Sequence, residues 1–253
     1  MKIITLDGEN INREHICCAI TEKKGENCVA AKKAWLAEAF ESGLIFKKAD
    51  VRGKVFIEYL PAEKAWNPIV APNYLFINCL WVSGQYKGKG LSSLLFEECL
   101  ADARRVKKDG LAIISANRKK PFLSDPAYLE HKGFKVADTA SPYFTLMALQ
   151  LNGKAAKPEF LLQAKQGRIK DQGAVLYYSN QCPFTEKYAP MLKAVADEHK
   201  IPFKLVKLNS LKEAQKAPTP WTTYALFYNG EFITNEILTE SKFLKLAGQS
   251  AVQ

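Results

Sequence analysis

One stretch constrains the fold of this chain more than any other. Asn73-Tyr-Leu-Phe-Ile-Asn-Cys-Leu-Trp-Val82 is nearly all apolar. Gln85-Tyr-Lys-Gly-Lys-Gly90 then interrupts it with two glycines, and Leu91 to Lys108 resumes with apolar residues at 91, 94, 95, 100, 103 and 106. A strand apolar on both faces has to be covered on both, so it belongs in the middle of a sheet. Apolar spacings of three and four give a helix with one buried side. Arg104, Arg105, Lys107 and Lys108 crowd its last turns, where they complement the negative end of the helix dipole. Gly110 stops it. The stretch reads as strand, glycine loop and helix, the building unit of an α/β fold.

The loop has the physical character of an anion site. Glycine reaches backbone angles closed to other residues and lets a ligand approach the main chain. The helix behind it presents N–H groups without intrahelical partners and a positive dipole end, and Lys87 and Lys89 add charge. Two common nucleotide sites do not fit. A P-loop needs G-x-x-x-x-G-K-[ST], which Gly84 to Leu91 does not supply. A dinucleotide fingerprint needs a third glycine where Ser93 stands, and an acid after the next strand, which instead ends Ala116-Asn-Arg-Lys-Lys.

Around this unit the pattern predicts a helix over Ala31–Glu41, strands over Gly53–Leu60 and Leu111–Ala116, a short helix over Asp125–Lys132 and a strand over Tyr143–Leu151. Composition changes at Asn152–Gly173, where Gln, Lys and Gly are frequent. A length of 253 residues allows two domains, here 1–151 and 173–253 joined by a linker at 152–172, with a short helix near Phe160–Lys165. The second part reads as strand Ala174–Ser179, helix Thr185–His199, strand Pro202–Leu208, helix Leu211–Lys216, a hairpin about Asn229-Gly230 and helix Ser241–Leu246. That β-α-β-α-β-β-α order is the central pattern of a thioredoxin-like domain.

Composition narrows the function. An apolar content of 47% with 25% charged residues excludes a largely disordered chain. No run approaches the roughly 18–20 apolar residues of a membrane span, and Met1 to Asn10 lacks the apolar core of a signal peptide, so a cytoplasmic protein is expected. The net charge is +10, but it is spread, with 22 basic against 17 acidic side chains in residues 1–150 and 14 against 9 in 151–253. It suits an anionic ligand such as a phosphorylated cofactor. No aromatic–basic platform or reading helix stands out, so no nucleic-acid partner is expected. Six cysteines in a chain of this length read as reduced thiols. His15, Cys17, Cys18 and Cys28 lack a C-x-x-C knuckle, and no metal is expected.

The loop also fits [QR]-x-x-G-x-[GA], the acetyl-CoA pyrophosphate motif of the GNAT acetyltransferases, and Pro126-Ala-Tyr-Leu-Glu-His-Lys-Gly-Phe134 resembles a helix of that family. Ile57-Glu-Tyr-Leu-Pro-Ala-Glu-Lys-Ala-Trp66 followed by Cys79 to Gly90 resembles the N-terminal half of the bacterial YoaP-type GNAT proteins. Gln181-Cys-Pro-Phe-Thr185 and Thr222 to Leu238 resemble their C-terminal YoaP domain. The resemblance covers nearly the whole chain. It implies a GNAT acyltransferase fold followed by a smaller thioredoxin-like domain, with acetyl-CoA as cosubstrate. The acetyl group would pass by direct attack to a small-molecule or peptide amine. Leu80 and Val82 of a splayed fourth strand would contact the pantetheine arm, and Gln85, Tyr86, Lys87, Gly88, Lys89, Gly90, Leu91 and Ser92 the phosphates.

Such a reaction needs a base for the amine and an acid for the leaving thiolate. Glu58, amid apolar neighbours on its strand, is the first candidate base if it lines a cleft rather than the solvent face. Glu63 and His15 are further candidates. The family's usual acid is a tyrosine at the position of Leu129. Tyr128 beside it would point about 100° away on a helix, which leaves Tyr143 as an alternative. Tyr59 and Trp66 read either as pocket walls or as core. Cys182 opens a helix at the place where thioredoxin-like proteins carry their attacking cysteine, so its pKa should fall. Thr185 replaces the second cysteine of that motif, and Thr219-Pro220 resembles its cis-proline. Two other functions stay open: a monothiol redox protein acting through Cys182, and a CoA-binding module without transferase activity.

Overall fold

The computed structural model describes residues 1–16 and 18–250. The N-terminal half is a seven-stranded sheet. Its strands run in sequence as β1 (Ile3–Leu6), β2 (Ile45–Ala49), β3 (Val55–Pro61), β5 (Tyr74–Val82), β6 (Gly110–Ala116), β7 (Lys135–Ala140) and β8 (Phe144–Gln150), with the two-residue β4 (Ile69–Val70) lying outside it. Their spatial order is β1-β2-β3-β5-β6-β8-β7. The apolar stretch is therefore β5, at the centre as its composition demands. Helix α1 (Cys28–Glu41) covers one face and α2 (Leu91–Arg105) the other, and α3 (Pro126–His131) is short and capped by Asp125, which accepts the Ala127 N–H at 3.1 Å. Alternate residues of β3 divide between the two cores. Phe56 and Leu60 pack toward α1, while Val55, Ile57 and Tyr59 pack against α2 with Leu95, Phe96 and Cys99.

Two irregularities of β5 shape the site. Opposite β3, Glu58 faces Cys79 but Tyr59 faces Ile77, so Asn78 is an extra residue in a bulge. Opposite β6, pairing is parallel and stops after Phe76 and Ala112, although both strands continue. Beyond that point the strands diverge, and β5 from Asn78 to Val82 keeps only its β3 neighbour.

Beyond β8, the short β9 (Glu159–Phe160) pairs with β4 and carries Phe160 into the first core, followed by α4 (Leu162–Lys165). The C-terminal half is a four-stranded sheet of β10 (Ala174–Tyr178), β11 (Phe203–Lys207), β12 (Tyr224–Tyr228) and β13 (Glu231–Thr234), with α5 (Pro183–Glu198), α6 (Leu211–Gln215) and α7 (Glu240–Ser250). The order is β11-β10-β12-β13, with β10 parallel to β11 and antiparallel to β12. The Asn229-Gly230 hairpin forms between the two strands expected to flank it, Asn229 and Gly230 both having positive φ.

The two halves are joined by polar contacts, of which the one from Asn67 is buried. Asn67 Nδ2 donates to the Pro220 carbonyl at 2.8 Å, and Gln215 Nε2 donates to the Glu63 and Ala65 carbonyls, each at 3.1 Å. Asn235 Nδ2 donates to the Pro121 carbonyl at 2.9 Å. Thr222 Oγ1 donates to the Trp66 carbonyl, and Trp35 and Trp66 meet edge to face with ring centres 5.7 Å apart. The segment before β12 is thus used for docking. The bond before Pro220 is not cis, contrary to the resemblance; among the described residues the cis peptide is Ser141–Pro142.

Candidate active site

A cavity of about 240 Å³ lies between the two halves, where β5 parts from β6. The N-terminal half lines it with Glu58, Asn78, Cys79, Leu80 and Trp81, and with Phe122 from the loop before α3. The C-terminal half supplies Gln181, Cys182, Phe184, Trp221 and Asn235. Phe122 holds a left-handed backbone, φ 63°, although it is bulky and partly exposed, a strain that the surrounding structure has to support.

Glu58 is 1% exposed, so it does not occupy a solvent face. The bulge places Asn78 beside it, and Asn78 Nδ2 donates to Glu58 Oε1 at 2.5 Å. Lys32 of α1, fully buried, donates to Oε1 at 3.2 Å and to Oε2 at 2.9 Å. Its ammonium also lies 4.2 Å from the centre of the Trp35 ring. Buried charge is tolerated only when paired and hydrogen-bonded, and Lys32 supplies that partner. The carboxylate therefore reaches the cavity as half of a neutral ion pair. No feature of the sequence around Lys32 announces this, because its partner is on another element.

Three thiols from separate segments meet on this cavity: Cys18, Cys79 and Cys182. The hydrogen bond to Cys79 and burial together push the Cys18 thiol well above the usual range. Burial pushes the Cys182 thiol up to about 12, with Cys18 adding to the effect and the helix backbone at Phe184 only partly opposing it. The expected fall is overturned. Its partly exposed surface opens into the cavity, and desolvation outweighs the helix N-terminus. Folding thus favours the protonated thiol, so the contribution of Cys182 to stability is complete below about pH 9 and is lost as pH rises toward 12. Iodoacetamide at pH 8 is expected to label Cys182 at least ~100-fold more slowly than free cysteine, because only the thiolate attacks. Peptide mapping after timed labelling measures this, and labelling as fast as free cysteine contradicts it.

The other candidates are dispersed. The Tyr143 hydroxyl donates to Asn235 Oδ1 at 2.7 Å, and burial pushes its phenol up to about 12; Tyr143 itself does not line the cavity. Glu63 accepts the Asn73 N–H at 2.8 Å, and a His15 ring nitrogen bonds the Val51 carbonyl at 2.8 Å, both outside the cavity. Tyr59 is core on the opposite face, its hydroxyl donating to Asp102 at 2.5 Å, and Trp66 belongs to the junction between halves. The Tyr128 hydroxyl is buried near Ser92 and Ser93 at the start of α2, without a partner in good geometry. Burial raises its phenol and the two serines pull it back. Cys17 lies outside the described residues. Among those described, no group of three or more His, Cys, Asp or Glu side chains is placed to hold a metal.

Leu80 and Val82 lie on the part of β5 that has lost β6, and the glycine loop follows directly. Gly84, Gly88 and Gly90 have φ of 62°, 73° and 73°, and the space where their Cβ atoms would stand is open. Gly90 caps α2 with no side-chain hydrogen bond, and no acidic residue stands in the first turn. The first N–H groups of α2 are therefore available to an anion. Lys87 and Lys89 are exposed beside them. Gly53 holds the loop in place: a Cβ there would stand 2.2 Å from the Tyr86 ring.

The YoaP-like family model matches residues 202–245. The uncharacterized N-acetyltransferase YoaP of Bacillus subtilis (strain 168) is 45% identical over 246 residues, covering 97% of this chain and 98% of the relative. Similar solved structures include the PaiA N-acetyltransferase of Thermoplasma acidophilum in complex with coenzyme A, at 17% identity and TM-score 0.40, covering 59% of this chain and 99% of that one. Another is a GNAT family acetyltransferase of Brucella melitensis in complex with acetyl-CoA, at 16% identity and TM-score 0.39, covering 64% and 96%. Identity at this level along almost the full length of both chains places the protein in the YoaP family of N-acetyltransferases.

Proposed function

We propose that the protein moves an acetyl group from acetyl-CoA to an amine held in the cavity beside Glu58. The divergence of β5 from β6 carries this reading. It leaves unpaired backbone groups along one edge of β5, with the glycine loop at one end and the cavity at the other. A pantetheine arm, itself a chain of amides, can add to that edge as an extra strand would, against Leu80 and Val82. The pyrophosphate then falls on Gln85, Tyr86, Lys87, Gly88, Lys89, Gly90, Leu91 and Ser92, where free N–H groups and lysines meet it.

In the cavity the amine nitrogen attacks the thioester carbonyl, a C–N bond forms and the C–S bond breaks, and CoA leaves as a thiolate. Glu58 accepts the amine proton, directly or through a water. We assign the return of a proton to the sulfur to Tyr128, whose hydroxyl lies by Ser92 and Ser93 at the start of α2 and outside the cavity lining. Tyr143 acts as a positioning residue by fixing Asn235 on the cavity wall. Cys182, held protonated, serves as wall rather than redox nucleophile, which disfavours the monothiol reading.

The chain is read as two domains, 1–151 and 173–253. The strand order and directions of the second sheet support a thioredoxin-like plan for the latter. Cys18, Cys28, Cys79, Cys99 and Cys182 are all free thiols, which supports a reducing, cytoplasmic setting. The test is Glu58→Asp, which keeps the charge that Lys32 needs but withdraws it from the cavity. Acetylation of whichever primary amines the wild type modifies should fall at least ~100-fold, with acetyl-CoA affinity unchanged. Undiminished turnover would remove Glu58 as the base.

A further inference from the structure

We infer that the acceptor is a small, largely apolar primary amine of about single-ring size, taken up uncharged, and that the C-terminal half selects it. This rests on the acetyltransferase reading of the same cavity and names the substrate class. Size is the first constraint. A dry cavity of about 150 Å³ holds benzene, and sites for drug-sized ligands begin near 300 Å³. The cavity here, about 240 Å³, falls between them, and the acetyl end of the cofactor takes part of it.

Enclosure is the second constraint. Phe184 and Trp221 line the cavity from the C-terminal half, which is joined to the first half by Asn67 on Pro220 at 2.8 Å and Asn235 on Pro121 at 2.9 Å. An extended peptide would have to pass these two rings to bring its amine to Glu58. Charge is the third. Among the described residues Glu58 is the one carboxylate on the wall, and Lys32 already neutralises it. The hydrogen bond to Cys79 and burial push the Cys18 thiol up, burial pushes Cys182 up, and Lys54 Nζ at the wall lies 5.6 Å from the centre of the Phe184 ring. Nothing there compensates a second positive charge, so a polycationic acceptor is disfavoured and the free base of a monoamine is accepted. That free base is the form able to attack a thioester. Trp81, Phe122, Phe184 and Trp221 offer aromatic surface for its body.

The experiment incubates the full-length protein with acetyl-CoA and four acceptors: phenethylamine, hexylamine, an alanine-initiated hexapeptide and a polycationic aminoglycoside. N-acetyl products are followed by mass spectrometry, and acetyl-CoA binding by calorimetry. Phenethylamine or hexylamine should be acetylated with kcat/KM at least tenfold above the peptide and the aminoglycoside. Phe184→Ala should raise KM for phenethylamine about tenfold and leave acetyl-CoA affinity within twofold. Because Phe184 packs at the wall rather than in a core, thermal unfolding should change little. Preference for the peptide or the aminoglycoside overturns the inference and leaves the transferase reading standing. So does acetyl-CoA binding without acetylation of either small amine, or Phe184→Ala with unchanged KM. Absence of acetyl-CoA binding removes the transferase reading, and this inference with it.

Discussion

Replacing Lys32 with methionine is expected to destabilise the protein by about 3–5 kcal/mol, the cost of removing one partner from a buried ion pair. Lys32 is 0% exposed and Glu58 1%, and their closest atoms are 2.9 Å apart. Without the ammonium, Glu58 is left with the Asn78 amide at 2.5 Å as its side-chain partner, and at 1% exposure it has little access to water that could replace the lost charge. The methionine itself fits, since it has nearly the length of the lysine stem and can lie against Trp35. The loss therefore reports charge rather than packing. The double variant Lys32→Met, Glu58→Gln should recover most of it, because two neutral groups of similar shape leave no charge buried. Urea unfolding of the four proteins of this cycle measures the coupling. A Lys32→Met protein as stable as the wild type would mean that the pair does not exist as described, and would weaken the case for Glu58 as the base.

The second large effect concerns the loop. Gly88→Val and Gly90→Val should each weaken acetyl-CoA binding at least ~100-fold by placing a branched side chain where the phosphates must approach the helix N-terminus. Both positions have φ of 73°, so a conformational cost of roughly 1–2 kcal/mol also falls on the folded state. The space around each Cβ is open, and that cost should be the whole effect on stability. Calorimetry and thermal melts on the same samples separate the two. Full affinity in either variant would show that the phosphates do not sit on this loop.

The contrast between these two sites shows what the sequence can reveal. The loop was legible because strand, glycines and helix are contiguous and each acts locally. The Asn229-Gly230 hairpin was legible for the same reason. The ion pair was not, because Lys32 and Glu58 are brought together by the packing of α1 on β3. Strand β2 was missed because Lys47 and Lys48 break its apolar pattern. Both lysines are buried by distant carboxylates, Lys47 by Glu98 and Asp102 at 2.8 and 2.9 Å and Lys48 by Glu14 at 2.6 Å. Strand β7 was hidden by Asp138, which sits at a bulge and pairs with Lys165 at 2.7 Å. The shift at Cys182 had the wrong sign because the helix N-terminus is visible in sequence, whereas burial between the two halves is not. The meeting of Cys18 and Cys79 with Cys182 is likewise a product of tertiary structure.

The proposed reaction requires that β5 and its loop hold acetyl-CoA. Calorimetric titration of the full-length protein with acetyl-CoA, with NADPH and ATP as controls, tests it most directly. One site of micromolar affinity for acetyl-CoA is expected, with no binding of NADPH or ATP at comparable concentrations. Well-folded protein that gives no heat with acetyl-CoA, or binds NADPH or ATP as tightly, would contradict it.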